Sequence, residues 1–321
     1  MRLLTSTLAA LGLATLTLPA CAAEPWQDAI ATGLGKAGTA TPSGIYRVGL
    51  PRTDLTVTLD GVQLKPSLAL GSWVAFMRHG AGDDVVVMGD LVLTDDEVNP
   101  VMKRLAEGGL EITALHNHLL RNIPHTMYMH VAGHGDPTKL ATTLREALGA
   151  SKTPLGVATA GAPPQASGSA GPASAGEGPV PAKATAPDQT LDLDTASIDR
   201  TLGRKGKVNG GVYAVSVSRA ETPKDGGLEI PGAMGSAIAI NFQPTGDGKA
   251  AVTGDFVLTG DEVNPVLRAL RANGIEVTAV HNHMLDDEPR LFFMHFWAND
   301  DAAKLAKGLR AALDHVKVAK S

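Results

Sequence analysis

The sequence predicts an α+β protein of two homologous domains, each a mainly antiparallel sheet with packed helices in a ββαββα-like order. Three observations predict it. A long segment recurs in tandem, a stretch poor in large apolar residues separates the copies, and each copy mixes β-branched runs with segments of helical spacing.

The recurrence is plain when the chain is compared with itself. Gly89 to Leu120 reads GDLVLTDDEVNPVMKRLAEGGLEITALHNHLL, and Gly254 to Leu285 reads GDFVLTGDEVNPVLRALRANGIEVTAVHNHML. The offset is 165 residues without a gap, and 20 of the 32 positions are identical. Likeness continues downstream in MYMHV and FFMHF, and upstream in GIYRVGLPR (Gly44 to Arg52) and GVYAVSVSR (Gly211 to Arg219). A repeat this long is a duplicated domain rather than a short solenoid unit.

Within the first copy, IYRVGL, LTVTL, SWVAFM and DVVVMGDLVL are rich in β-branched residues and bounded by turn residues, so they read as strands. DDEVNPVMKRLAEGG carries apolar residues at helical spacing and stops at Gly108-Gly109, so it reads as a helix. LEITALHNHLL and TMYMHVAG read as a further strand pair, closed by the helix DPTKLATTLREALG. The second copy parses the same way.

These patterns divide the chain into an N-terminal leader over residues 1–22, a first repeat domain over 24–149, a linker over 150–189 and a second repeat domain over 190–321. The linker is Ala, Gly, Pro, Ser and Thr with almost no large apolar side chains, so it has little surface to bury in return for being ordered. The leader has a short basic start and the apolar run LLTSTLAALGLATLTL, the form of a signal peptide. Its end supports two cleavage readings. LPAC resembles a lipobox that makes Cys21 the lipidated first residue; ACA fits ordinary signal peptidase. The first reading is preferred, because Cys21 is the only cysteine and has no other evident role. The expected location is the periplasm or cell envelope, with the membrane as partner through the lipid. With 321 residues and a net charge of −5, nothing points to nucleic acid. A single cysteine also excludes an internal disulfide, and limits any metal site to histidine and carboxylate ligands.

The residues that can carry chemistry recur with the repeat. His116 and His118 are two apart on an expected strand, hence on one face. A hairpin centred near Asn122 sets His116 opposite Tyr128 and His130 opposite Ala114, so His130 joins that face. His281, His283 and His295 repeat the triplet, whereas His125 becomes Arg290 and His134 becomes Asn299. Imidazole is both a metal ligand and a base near neutral pH, so ligation of a divalent transition metal such as zinc or copper, hydrogen bonding in a polar seam, and acid–base catalysis are all open. Strand parity turns Met127 and Met129 away from His130, toward the helices.

TDDEVNP and TGDEVNP form the other repeated element. Thr94 with Glu97, and Thr259 with Glu262, have capping-box spacing; the alternative makes Asn99 and Asn264 the caps. Asp96 and Asp261 remain candidate ligands or acids, and Asp90 and Asp255, each after a glycine, look like turn residues but could face the same cleft. Arg52 and Arg219, each two residues before an acid, read as surface ion pairs or as anion-binding groups. P-loop, HExxH, nucleophile-elbow and CxxC motifs are absent.

The combination GD-VLT-DEVNPV, then G-E-TA-HNH-L, then MH resembles an uncharacterised bacterial family that includes the mycobacterial lipoproteins LppY and LpqO. The resemblance implies an exported, often lipid-anchored protein and brings no catalytic residues. The expected function is an exported binding protein of unknown small ligand, with a His-lined site in each repeat. The alternatives are a metal-dependent or His-based hydrolase of envelope material, and a structural envelope module with hydrogen-bonded histidine rows.

Overall fold

A computed structural model describes residues 24–80, 82–156 and 191–320. The leader with Cys21 and most of the linker lie outside the described residues. The first repeat runs α1 (Pro25–Leu34), β1 (Thr39–Ala40), β2 (Tyr46–Pro51), a short hairpin of β3 (Thr58–Leu59) and β4 (Val62–Gln63), α2 (Pro66–Ala69), β5 (Gly71–Arg78), β6 (Val85–Thr94), α3 (Asp95–Glu107), β7 (Glu111–His116), β8 (Thr126–Gly135) and α4 (Pro137–Leu148). The second runs α5 (Thr195–Leu202), β9 (Lys207–Asn209), β10 (Val212–Val217), β11 (Lys224–Asp225), β12 (Leu228–Glu229), a 3-10 turn at Gly232–Met234, β13 (Ile238–Gly246), β14 (Lys249–Thr259), α6 (Gly260–Ala272), β15 (Glu276–His281), β16 (Asp287–Glu288), β17 (Leu291–Asp301) and α7 (Ala302–Leu313).

Each repeat builds a six-stranded antiparallel sheet. The strand order β1-β2-β5-β6-β8-β7 in the first is matched by β9-β10-β13-β14-β17-β15 in the second. The fold class is therefore the expected one, α+β with two sheet-and-helix units. α1, α3 and α4 cover one face of the first sheet, where Leu91, Leu93, Met129 and Val131 meet Ile30, Val101 and Leu144. α5, α6 and α7 cover the second sheet in the same way. The uncovered faces turn toward each other. Tyr128 and Val92 pack there with Val212, Ala251 and Trp297, and Met88 and Ala75 join the core of the other repeat. The molecule is a four-layer stack of helices, sheet, sheet and helices, held in the middle by side chains of both repeats.

Period-2 alternation explains which residues enter that middle layer. Along β8, Met129 and Val131 point to the helices, while Tyr128 and His130 point to the other sheet. Met127 packs against the helix-side core and Met129 lies within it, so neither joins the histidines.

The capping boxes form as the Thr-x-x-Glu spacing predicts. Thr94 caps α3, and its N–H donates to Glu97 Oε2 at 3.0 Å; Thr259 and Glu262 do the same for α6. The alternative caps Asn99 and Asn264 do not form, because both helices start earlier and carry Pro100 and Pro265 inside them.

Arg52 is no surface ion pair. Its side chain is 0% exposed, donates to both oxygens of Glu97 and to Asp54, and also bonds the Val92 carbonyl at 2.7 Å. Arg219 repeats the arrangement with Glu262, Glu221 and the Val257 carbonyl. Every group of these guanidinium clusters is partnered within the protein, so they join strand end to helix start and offer nothing to an anion.

A candidate metal centre between the repeats

The hairpin register is the expected one: Ala114 pairs with His130 and His116 with Tyr128. In the second repeat Ala279 pairs with His295 and His281 with Phe293. Each of β7 and β15 carries one register shift, at Thr113 and Thr278. A bulge re-aims the side chain it holds. Thr113 Oγ1 donates to the His283 carbonyl at 2.8 Å, and Thr278 Oγ1 donates to the His118 carbonyl at 2.5 Å. Asn117 and Asn282 complete the exchange, each donating to the carbonyl of the opposite threonine at 3.1 Å. The middle residue of each His-Asn-His thus fastens one repeat to the other, and the pairing is reciprocal, as in a two-fold dimer.

β7 ends at His116, so His118 is not a strand residue as expected but lies on the turn beyond it. It still reaches the same place. Its ring stacks on Tyr128 at 3.5 Å between centroids and on His295 of the second repeat at 3.6 Å. The two-fold mate of that second contact, His130 against His283, is also at 3.6 Å. His116 and His281, mates of each other, stack at 3.4 Å. All six predicted histidines therefore come together, but in one shared cluster. The expectation of a separate His-lined site in each repeat gives way to a single group at the interface, because the reciprocal Thr and Asn bonds press the two triplets together.

Charge and hydrogen bonding in the cluster are unusual. Burial lowers the proton affinity of every one of the six. His281 is brought down to about 4, and His116, also opposed by His281 and His283, to about 2. His118, His130, His283 and His295 fall well below the usual range, first through burial and then through their neighbours. These rings are neutral near pH 7. Both nitrogens of His116, both of His130 and Nε2 of His118 are buried without any hydrogen-bond partner. His281 Nδ1 lies 2.6 Å from the Asn282 carbonyl and His295 Nδ1 lies 2.9 Å from the Gly254 carbonyl. A carbonyl oxygen only accepts, so each Nδ1 carries the proton. That leaves the two bare Nε2 atoms facing each other 2.8 Å apart. Two lone pairs at that distance repel; a shared proton relieves the contact, and two nitrogens bound to one tetrahedral metal ion would stand farther apart, at about 3.4 Å.

One ligand atom from each of His116, His118, His130 and His281 lies within 4.8 Å of the others. Around zinc with nitrogen ligands at about 2.0–2.1 Å, the tetrahedral edge is about 3.4 Å. No pair of the four nitrogens is thus wider than that edge by more than about 1.4 Å. The donor set fits a borderline transition metal, with nitrogen only and no thiolate.

Of the acidic candidates, Asp90 and Asp255 reach the site. Asp90 pairs across the sheet with His130, and Asp255 with His295. Asp90 lies 3.8 Å from His118 Nε2, and Asp255 lies 4.0 Å from His295 Nδ1. Burial raises Asp90 to about 8 against the pull of Arg47, and raises Asp255 well above the usual carboxylate range, helped by Asp90. Asp96 does not reach the site: it is exposed and accepts from Thr94 Oγ1 at 2.6 Å. Asp261 is exposed at the matching helix start. Glu97, Glu262, Arg52 and Arg219 are consumed by the capping clusters.

Sequence reading missed Arg47 and Trp73. The Arg47 guanidinium lies 3.8 Å over the Trp73 ring and donates to the Ala233 carbonyl of the second repeat at 2.7 Å. Self-comparison held the signal, because Arg47 stands where the second copy has Ala214.

Comparison with solved structures gives two distant likenesses. One is a trimeric bacterial microcompartment shell protein, PduB, at 12% identity, covering 85% of this chain and 88% of that one with a TM-score of 0.19. The other is EtuB from Clostridium kluyveri, at 9% identity, covering 87% and 90% with a TM-score of 0.19. At such scores neither carries an argument. A search of curated proteins found no match. The family model for a Domain of Unknown Function (DUF1259) matches residues 28–150 and again 196–315, the same two segments that self-comparison and the paired sheets delimit, and the chain belongs to that family.

Proposed function

We propose that this is an exported binding protein that holds one divalent transition metal, zinc or copper, in an imidazole cage contributed by both repeats. The observation that carries this reading is the gathering of one nitrogen from each of His116, His118, His130 and His281 within 4.8 Å of one another, with nitrogens of the first three buried and without a hydrogen-bond partner. Leaving so many buried polar atoms unpaired costs about 1–3 kcal/mol each, and a bound cation removes that cost. Nitrogens out of water's reach suit a closed holding site better than a catalytic one, which keeps a position open for water or substrate. The leader supports export, and the lone Cys21 supports a lipid anchor of the kind that the likeness to LppY and LpqO implies.

The test is spectroscopic. Cobalt(II) added to metal-stripped, tag-free protein is expected to give visible d–d bands that saturate, and zinc is expected to displace them. His116→Ala combined with His281→Ala is expected to abolish the bands. Saturating bands of equal strength in the double variant would contradict the assignment.

A further inference from the structure

A cavity of about 140 Å³ lies between the two sheets, beside the imidazole cage, and shares His118 and His295 with it. Its other walls come from Arg47, Trp73, Asp90, Asp255, Asn241 and Thr253. The space exists because the repeats differ here. Trp73 pairs with Asp90 in the first sheet, and the residue that pairs with the matching Asp255 is Ala239. Arg47 is likewise answered by Ala214. Both alanines line the cavity. The first repeat supplies a large aromatic and a guanidinium, and the second supplies two methyl groups, so the symmetric interface is left open on one side.

The cavity walls are short of partners. Asp90, 7% exposed, has Oδ1 without a hydrogen bond, and so have Asp255 Oδ1 and Arg47 Nε. A buried polar wall of this kind is stabilised by a guest that supplies the missing partners. Two carboxyl groups call for hydroxyl donors, and a guanidinium calls for an oxygen acceptor. An anionic guest such as acetate carries acceptors only and has no donor for the carboxyl oxygens, and a cationic guest would sit against Arg47. The indole face of Trp73 supplies an apolar wall. By size, a cavity of about 150 Å³ accepts a molecule of about six non-hydrogen atoms, as benzene does in an apolar case.

We infer that the cavity is a binding site for a small neutral polyol of about six non-hydrogen atoms, its hydroxyls donating to Asp90 and Asp255 and accepting from Arg47. The inference goes beyond the metal reading and does not depend on it, since none of its three hydrogen-bonding groups is an imidazole.

The experiment uses the full chain, metal-stripped and zinc-loaded, with glycerol, acetate and ethylammonium as probes, read by saturation-transfer NMR and by titration. Glycerol is expected to bind saturably in both forms, and acetate and ethylammonium are not. Ala214→Leu, which fills the space, is expected to weaken glycerol binding at least tenfold and leave cobalt binding unchanged. Asp255→Leu, which roughly keeps the shape and removes the acceptor oxygens, is expected to weaken it severalfold, and it stands in should the Ala214→Leu variant not fold. Preference for acetate or ethylammonium, no saturable glycerol binding, or glycerol binding unmoved by the variant that folds would each overturn the proposal. Loss of cobalt binding in the wild type with glycerol binding intact would instead count against the metal reading alone.

Discussion

At the residue scale, the same amino-acid types serve opposite ends according to whether they find partners. Arg52 and Glu97 are buried and fully bonded, so they hold β2 to α3. Breaking one partner of such a pair leaves the other charge buried, at about 3–5 kcal/mol. Arg52→Ala is therefore expected to lower unfolding free energy by about that amount in a denaturant titration, with metal binding of the folded fraction unchanged. The histidines are buried and largely unbonded, which is the signature of a site rather than of a scaffold. Part of their gathering is legible in the sequence, because strand parity and the repeated spacing put His116 and His130 on one face, but the sharing of one cluster by both triplets is not. Asp96 and Glu97 were equally prominent as letters but proved structural, since the capping box accounts for Glu97 and leaves Asp96 in solvent. The unpartnered state of the cage was not legible, because it depends on which carbonyls lie within reach of each ring.

At the scale of elements, the two bulges at Thr113 and Thr278 decide how the sheets meet. Each turns a hydroxyl across the interface, and each Asn of His-Asn-His answers it. A neutral hydrogen bond of this kind contributes about 0.5–1.5 kcal/mol. Thr113→Val with Thr278→Val is expected to cost about 1–3 kcal/mol and to weaken metal affinity, because the triplets from the two repeats are no longer pressed together. Unchanged affinity in the folded double variant would mean that each triplet acts alone. The long strands, both long helices of each repeat and the hairpin register follow from β-branched runs, capping residues and turn spacing, whereas LTVTL forms a strand only at Thr58–Leu59. The short helices α1, α2 and α5 did not, being too brief or too close to the repeat edges to show a clear period. The strand β7 stopped two residues before His118 because the chain there turns to bond the opposite repeat, a tertiary demand that local pattern does not carry.

At the scale of the molecule, the interface sets the dependence of stability on pH. The unfolded chain takes up protons on its histidines near pH 6.5, whereas burial keeps the folded rings neutral, His281 down to about 4 and His116 to about 2. Stability of the metal-free protein is expected to fall as pH drops from about 6.5 toward 4. Asp90 and Asp255 act in the other sense. Folded Asp90 keeps its proton up to about 8, while the unfolded carboxyl loses it near pH 4, so its contribution is lost as pH rises to about 8, and Asp255, also raised, acts in the same direction. Six imidazoles outweigh two carboxyls below about pH 6.5, and only the carboxyls act above it. A maximum near pH 6.5 is expected in denaturant midpoints of the metal-free protein. A maximum near pH 4 would show that the rings are charged when folded.

Duplication was readable at this scale from the first comparison of the chain with itself, but the meeting of its products was not. Whether two matched triplets make two sites or one depends on how the sheets face each other. Elemental analysis of tag-free protein, purified without chelators and quantified against protein concentration, tests this most directly. The account predicts one transition-metal ion per chain, lost when His116 and His281 are both replaced by alanine. Two ions per chain, or negligible metal in wild type and variant alike after loading with zinc and copper, would contradict it.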